Sequence, residues 1–592
     1  MLNTDTLETG VDILKEWAFH IAFAPEEVEN EKGVIIEEWR GARGAAARMR
    51  DEYLPVLFRN SRYAERLPIG EMDVIRSATA KDLEDFYKKW YRPELMAVIA
   101  VGDVDPERME QLIKATFGAC PSQTTGPSTT SDRAAEATQQ PGRPSYSVPP
   151  ADGRQFAIAT DPEAQRTQIQ VLSLYEPFRL QNKQDYKTSL VLSMYSQMVR
   201  ARLSEKTEQS DPPFVTGYFA TTNYLRNNDA TVWGALAREG QIERALKTLL
   251  EEERRISLYG FTENELQRAK ENLRSRMQRV YEERDKTESA SFASEYIRHY
   301  LAGEAAPGIA KEWELTQEYL PEITLADIKQ VREQFIQSGG AKTAIITGPE
   351  KEGLQYPEER ELAEIFEQTD SARVEPYRDE LAGDQLLKEL PEPGSIVSEE
   401  IITIPAEVLG PSASSDDNED PVTYHQFSLA NGAKVVYRQT DYKNEEILFS
   451  AFSPGGASQV ETEDYYAAAM APSFVQAAGL GDYSPSQLRK LTAGTQAQVS
   501  PYLNDLTEGF RGNTRPEDLE LLFQQVYLYF TAPRRDSDLF QSYQQRLQGV
   551  LENRRSNPQV LLSDTVTKLL FDDHPRRQPY TAERVAAISE EQ

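Results

Sequence analysis

The sequence predicts an α+β protein with duplicated domains, each a mixed or antiparallel sheet with helices packed on it. Helical and strand patterns follow one another along the chain without separating into an all-helical and an all-strand part. Two polar stretches interrupt these patterns, as linkers between domains do. Residues 56–82 also resemble residues 569–592. A repeat of such long period indicates duplicated domains rather than a solenoid of short repeats.

Composition restricts the classes of partner. The chain has 592 residues, enough for several domains. It contains 65 Lys and Arg against 96 Asp and Glu, a net charge of −31, which argues against binding to nucleic acid or to an anionic membrane. The single cysteine, Cys120, excludes a disulfide framework and a cysteine-rich metal site. No apolar run approaches the ~18 residues of a transmembrane helix.

The two polar stretches predict the domain boundaries. Residues 119–152 are rich in Pro, Ser, Thr and Gln, and residues 372–421 end in the polar run PSASSDDNEDP. We therefore predict linkers at 119–152 and 372–421. They separate a first segment (1–118), a second segment (153–371) and a third segment (422–592).

The first segment is predicted to alternate helix and strand. Residues 1–20 are interpreted as the end of a strand followed by an amphipathic helix, and not as a signal peptide. A helix is expected around Leu83–Trp90, then a strand over Met96–Val101 and a turn at Gly102. A last helix should run to Gly118.

The other two segments show the same mixture of patterns. In the second, Thr262 and Glu265 form a capping-box pattern that predicts the start of a long helix. The remaining predicted elements are a strand over Thr167–Leu174, a helix near Tyr186–Leu203, and third-segment strands over Lys434–Tyr437 and Ile447–Phe452.

The repeat also predicts how much of each copy is present. The first and third segments align at an offset of 512, at which Leu7 and Trp17 match Leu519 and Tyr529. If the second copy begins near Val422, about 90 residues of the first copy would precede Met1. The second copy stops where the first reaches Lys81. We therefore expect a chain cut at both ends, with superposable copies that each hold an incomplete sheet.

The strongest candidate for chemistry is the block PEEVENEKGVIIEEWRG at residues 25–41. Pro25 suits the first position of a helix. Glu31 and Glu38 are seven residues apart, two helical turns, so both carboxylates should lie on one helix face. Carboxylates on an apolar stretch need a cation, a metal or hydrogen bonds as compensation. On composition alone, with 96 acidic residues in the chain, a solvated acidic helix is the favoured interpretation of this block.

This block resembles the E-x6-E segment of the insulinase–pitrilysin (M16) family of zinc metallopeptidases. The ordered combination of motifs carries the resemblance, which covers nearly the whole chain. The other motifs are SRYAERLPIG (61–70), WYRPELMAVIAVGDVD (90–105), LANGAKVVYRQT (429–440) and FSPGGAS (452–458).

The resemblance implies a fold, a cofactor and an activity. The domains would have the LuxS/MPP-like metallohydrolase fold of a bacterial two-half enzyme. Glu38 would be the third zinc ligand and Glu31 a supporting acid, while the other two ligands and the general base belong to an H-x-x-E-H helix. The protein would be a zinc-dependent metalloendopeptidase that cleaves peptides or unfolded proteins, exported to the periplasm as relatives with this domain plan are.

The sequence departs from the family at this motif. H-x-x-E-H occurs nowhere in the 592 residues, and none of the four histidines has a second histidine four residues away. At the offset of 512, Tyr543 and Val550 stand where Glu31 and Glu38 would repeat, so the second copy is predicted to be non-catalytic. We expect the chain as given to be inactive, because a zinc site needs three protein ligands.

Two other interpretations remain open. The protein could be a non-catalytic scaffold or binding subunit of the same fold, and the resemblance leaves open a partner chain or a dimer. An unrelated acidic α+β protein would require every ordered motif to be a coincidence. An H-x-x-E-H motif encoded upstream of Met1 would favour the peptidase, and its absence would favour the scaffold.

Overall fold

The computed structural model describes residues 6–592 except 60, 119–145, 337–340, 381–382, 384 and 406–421. The strand predicted at the start of the chain, Cys120 and most of the predicted linkers lie outside the described residues. Within them, helices and mainly antiparallel sheets confirm the α+β class. No helix in the described part of the chain is both long enough and apolar enough to cross a membrane.

The described residues of the first segment form helices. These are α1 (Leu7–Phe19), α2 (Pro25–Gly41), α3 (Ala45–Phe58), α4 (Arg62–Glu65), α5 (Met72–Ser77), α6 (Ala80–Trp90) and α7 (Pro106–Phe117). The predicted helices at 83–90 and before Gly118 are confirmed. The predicted strand Met96–Val101 is wrong, because no described strand pairs with it and an extended segment needs a neighbour for its backbone hydrogen bonds.

The second segment is built on a five-stranded sheet with the order β1-β5-β2-β4-β3. Its strands are β1 (Gln155–Asp161), β2 (Thr167–Tyr175), β3 (Thr216–Leu225), β4 (Asn228–Ala237) and β5 (Thr343–Pro349). The β1–β5 pair is parallel and the other pairs are antiparallel.

Helices cover this sheet, and three of the predicted elements are confirmed here. The predicted strand at 167–174 and helix at 186–203 are present, and Thr262 and Glu265 make both hydrogen bonds of the capping box. The helices are α8 (Lys183–Lys206), α9 (Ile242–Tyr259), α10 (Glu263–Glu282), α11 (Ser289–Ala302), α12 (Ile309–Tyr319), α13 (Leu325–Val331) and α14 (Glu359–Ser371).

Helix α3 joins the first segment to the second. Its residues Leu54, Leu57 and Phe58 form one apolar cluster with Leu172 and Ile345 of the sheet. Helices of the second segment, α8 to α10 among them, supply a separate and larger cluster. The sheet is therefore covered on one face by its own helices and on the other by α3, which fixes the first segment's position.

The third segment and the end of the chain stretch before it form two three-stranded sheets, with the orders β6-β7-β8 and β10-β11-β9. The strands are β6 (Ile396–Ile404), β7 (Val422–Leu429), β8 (Lys434–Tyr437), β9 (Ile447–Pro454), β10 (Gln498–Leu503) and β11 (Thr507–Thr514). The helices are α15 (Tyr465–Ala478), α16 (Pro485–Leu491), α17 (Leu519–Thr531), α18 (Ser537–Leu551), α19 (Pro558–Leu570) and α20 (Ala582–Ala587). Both predicted third-segment strands are present as β8 and β9, whereas β6 lies within the predicted linker.

The helix bounds of the two copies agree with the repeat. Helix α17 begins and ends 512 residues after α1, α18 begins 512 residues after α2, and α19 ends 512 residues after α3. The sheets do not repeat in this way. The β10-β11-β9 sheet packs on α17 through Phe510 and Leu522, but the described residues of the first segment hold no strand. The expectation of a sheet in both copies is therefore wrong for the described residues of the first segment, whereas the third segment has a three-stranded sheet on α17.

Candidate metal-ligand site on helix α2

Helix α2 carries both candidate carboxylates. Pro25 occupies its first turn together with Glu26 and Glu27, whose negative charges suit the positive end of the helix dipole. Near the other end, the Ala42 amide donates to the carbonyl oxygen of Glu38 at 2.9 Å. Because the helix is continuous over 25–41, residues 31 and 38 lie two turns apart on the same face.

The two candidates differ from their acidic neighbours in their contacts. Glu29 pairs with Lys32 at 2.7 Å, and Glu37 pairs with Arg40. Among the described residues, the exposed carboxylates of Glu31 and Glu38 have no hydrogen-bond or ion-pair partner. Both remain available to a ligand.

Glu38 also lines a pocket of about 1000 Å³. The walls come from the end of α2, from α3 and from the loop between α4 and α5, and include Trp39, Arg43, Arg50, Asp51, Glu65 and Glu71. Glu31 is not among the lining residues. The two carboxylates therefore do not both line this pocket, whose described walls all belong to the first segment.

An arginine–aspartate cluster shapes one wall of this pocket. Arg43 donates to one carboxylate oxygen of Asp51, and Arg50 donates to the other at 3.2 Å. The Arg43 guanidinium also lies 5.0 Å from the centre of the Trp39 ring, within the range of a cation–π contact. These contacts order the chain immediately after Glu38. Sequence analysis did not single out any of the three charged residues.

The described residues do not complete a zinc site. No group of three His, Cys, Asp or Glu side chains among them is placed to share a metal ion. The histidines are dispersed: His20 ends α1 near Glu16, His299 lies on α11, His425 on β7, and His574 starts the turn at Pro575. The strand that carries His425 is the central one of its sheet.

The second copy uses the same positions for packing. Tyr543 and Val550, the counterparts of Glu31 and Glu38, both lie on α18. The Tyr543 ring contacts Phe474 of α15 edge-on, with 5.0 Å between ring centres. An apolar contact between α18 and α15 thus stands where the first copy has carboxylates.

Arg48 of α3 connects the α2–α3 loop with the second segment. Its guanidinium donates to both carboxylate oxygens of Asp161, at 2.6 and 2.7 Å, and to Glu163 at 2.7 Å. It also donates to the carbonyl oxygen of Arg43 at 2.6 Å. The hydrogen bonds from Arg48 hold the pKa of the Asp161 carboxyl below its ordinary value.

This lowered pKa predicts an acid-dependent loss of stability. A carboxyl whose folded pKa is depressed stabilises the fold above its unfolded pKa of about 3.9 and loses that contribution as the pH falls through the folded pKa. We expect Asp161→Asn to be less stable than the parent near neutral pH and to lose less stability on acidification. Urea unfolding from about pH 7 to about pH 3 measures both effects.

The exposed Asp152, which lacks an ion-pair partner among the described residues, provides the control. Asp152→Asn should follow the parent at every pH. A slope for Asp161→Asn equal to that of the parent would contradict the assignment of this acid sensitivity to the Arg48–Asp161 pair.

Comparisons with known proteins show similarity to M16 peptidases. A family model described as "Peptidase M16 inactive domain" matches residues 77–273. "Zinc protease PQQL-like" of Arabidopsis thaliana is 27% identical over 519 residues, covering 87% of this chain and 48% of that protein. "Probable zinc protease PqqL" of Haemophilus influenzae is 24% identical over 521 residues, covering 88% of this chain and 53% of that protein. The chain thus spans about half the length of these curated relatives.

Solved structures show the same fold. A mutant of the ferredoxin protease FusC, in complex with Arabidopsis ferredoxin, matches with a TM-score of 0.63 and 19% identity, over 100% of this chain and 62% of that one. The periplasmic protease PqqL from Escherichia coli matches with a TM-score of 0.57 and 19% identity, over 99% of this chain and 61% of that one. Together with the ordered motifs, these matches show that the chain is similar to peptidases of the insulinase–pitrilysin (M16) family.

Proposed function

We propose that this chain is part of a zinc-dependent metalloendopeptidase of peptides or unfolded proteins, and that Glu38 is one of its zinc ligands. The observation that carries the proposal is the unpartnered Glu38 carboxylate, among the described residues, at a pocket of about 1000 Å³. Relatives that cover most of this chain are named zinc proteases, which supports both the metal and the reaction class.

Within this proposal each residue has a distinct task. Glu38 supplies one anionic oxygen ligand at the end of α2, and Glu31 supports the site from the same helix face. Zinc in such a site polarises the substrate carbonyl and lowers the pKa of bound water. The two histidine ligands and the general base come from outside these 592 residues, because H-x-x-E-H is absent from them.

The internal repeat supports a place for the absent motif. In the second copy, Tyr543 of α18 contacts Phe474 of α15. Since Tyr543 is the counterpart of Glu31, a counterpart of α15 in the first copy would lie against the Glu31 face of α2. A helix there would bring its side chains to the carboxylates, as the family's H-x-x-E-H helix requires.

We also propose an extended peptide as the substrate and the periplasm as the compartment. A chain that lies in extended form beside a sheet edge gains main-chain hydrogen bonds whatever its sequence, which suits unfolded proteins. The net charge of −31 favours peptides that carry positive charge. The proposal of a periplasmic location is based on the similarity to the periplasmic protease PqqL of Escherichia coli.

Zinc content and cleavage of an unstructured peptide test the role of Glu38. In the full-length protein, Glu38→Ala should lower zinc affinity or cleavage by at least about 100-fold, since it removes one of three ligands. Glu37→Ala is the matched control, because Glu37 is an exposed neighbour that pairs with Arg40. Residues 1–592 alone should neither hold stoichiometric zinc nor cleave, because they contain one ligand.

The outcomes separate the proposal from its rival. Full activity of Glu38→Ala would disprove the ligand assignment, and chelator-sensitive cleavage by residues 1–592 would disprove the predicted inactivity. A full-length parent that neither binds zinc nor cleaves would favour the non-catalytic scaffold.

A further inference from the structure

The helix that carries Glu38 is held by few contacts. Val28, in its first half, is the only buried residue among the described residues of α2. The Glu37–Arg40 ion pair near Glu38 stays within the helix itself, and a hydrogen bond of 3.4 Å from Lys32 to the Arg76 carbonyl reaches only α5, which belongs to the same segment. The position of Glu38 relative to the second segment therefore depends on what holds the end of α2.

Arg48 makes that connection. Two of its hydrogen bonds run to Asp161, whose side chain is 7% exposed and which ends β1 opposite Pro349 of β5. A third reaches Glu163, and the fourth reaches the Arg43 carbonyl in the loop that follows α2. One guanidinium thus joins the edge of the second segment's sheet to the loop after Glu38.

We infer that Arg48 is a positioning residue that holds the Glu38 carboxylate in place relative to the second segment. This inference rests on the proposed role of Glu38 as a ligand. Hydrogen bonds connect Arg48 to Glu38 through the loop. Arg48 donates to the Arg43 carbonyl, and the Arg43 amide donates to the Arg40 carbonyl at 3.2 Å. The neighbouring Ala42 amide donates to the Glu38 carbonyl at 2.9 Å.

Arginine suits this task better than lysine. A planar guanidinium binds both oxygens of Asp161 and still has N–H groups for Glu163 and for the Arg43 carbonyl. Because two N–H groups of the guanidinium bind the two Asp161 oxygens, they restrain both the distance and the relative orientation of Arg48 and Asp161. A lysine ammonium group would restrain only the distance. A metal site needs its ligands held to within about 0.5 Å, so rotation of the loop would displace Glu38 from its working position.

The first test is made on residues 1–592 without metal. Hydrogen exchange of the Ala42 and Arg43 amides should be at least about 10-fold faster in Arg48→Gln than in the parent, with Arg48→Lys between the two. Arg268→Gln is the matched control, because Arg268 makes a comparable double contact with Asp379, at 3.0 and 2.9 Å, from α10. The control should leave the exchange of both amides unchanged.

The second test uses the full-length protein and separates positioning from stability. Arg48→Gln should weaken zinc binding by about 10–100-fold, the range for groups that orient a ligand. Arg268→Gln should cause a similar loss of thermal stability without weakening zinc binding. Unchanged amide exchange in Arg48→Gln, or equal weakening of zinc binding in both variants, would overturn the inference. If Glu38→Ala retained zinc, the proposed role of Glu38 as a ligand would be disproved. The hydrogen-exchange test would still show whether Arg48 holds the loop after α2.

Discussion

Leu57→Ala should lower the free energy of unfolding of the second segment by about 2–5 kcal/mol, whereas Leu569→Ala should change stability by less than about 0.5 kcal/mol. The two leucines are counterparts in the repeat. Leu57 is 0% exposed, packed between α3 and the five-stranded sheet, and its removal leaves a cavity. Leu569 is 76% exposed on α19, so its truncation leaves none.

Urea unfolding followed by circular dichroism measures both changes on residues 1–592. The same substitution at corresponding positions of the repeat makes each variant the control for the other. Equal losses of stability would show that α19 is covered as α3 is, and would contradict the exposure of its apolar face.

Replacing Arg202 with Met should destabilise the second segment by about 3–5 kcal/mol, because it leaves the buried Glu265 carboxylate without its cation. It also removes one of the cations near the buried Glu252, which keeps its contact with Arg255. Arg202 is 2% exposed and donates to both oxygens of Glu265, at 2.7 and 2.8 Å, and to Glu252 at 3.4 Å. The rings of Phe261 and Tyr377 lie 4.7 and 4.2 Å from its guanidinium carbon. The cluster is therefore both an ion pair and part of the packed core.

Two further variants test this interpretation by urea unfolding. Arg202→Met with Glu265→Gln should recover part of the lost stability, because the carboxylate that loses its cation in Arg202→Met is made neutral. Arg360→Met should change stability by less than about 0.5 kcal/mol, since Arg360 is 81% exposed and its pair with Glu364 spans 3.5 Å. A loss for Arg202→Met as small as that for Arg360→Met would contradict the assigned role of the buried network.

Local patterns in the sequence were sufficient where the physical cause is local. The start of α10 follows from the capping box of Thr262 and Glu265, in which each side chain accepts a hydrogen bond from the other residue's backbone amide. The shared face of Glu31 and Glu38 follows from helical periodicity. The repeat at an offset of 512 agrees with helix bounds in the first and third segments, because related sequences with similar periodicity form the same helices.

Other features depend on groups that are distant in the sequence. Arg48 and Asp161 are 113 residues apart, and no local pattern distinguishes Arg48 from the other arginines of the same stretch. The pocket beside Glu38 likewise arises only when α2, α3 and the loop before α5 are assembled. The candidate ligand was therefore predictable from the sequence and the family resemblance, but the residues that hold it in place were not.

The sequence by itself determined the helices, their caps, the duplication and the face that carries Glu31 and Glu38, because these depend on neighbours within a few turns. Only the tertiary structure decided which apolar surfaces are buried and which extended segments become strands. Leu57 and Leu569 lie on corresponding helices, but Leu57 packs against a sheet whereas Leu569 is exposed to solvent. Residues 96–101 have the composition of a strand and stay unpaired among the described residues, because a strand exists only when another chain segment supplies the other half of its hydrogen bonds.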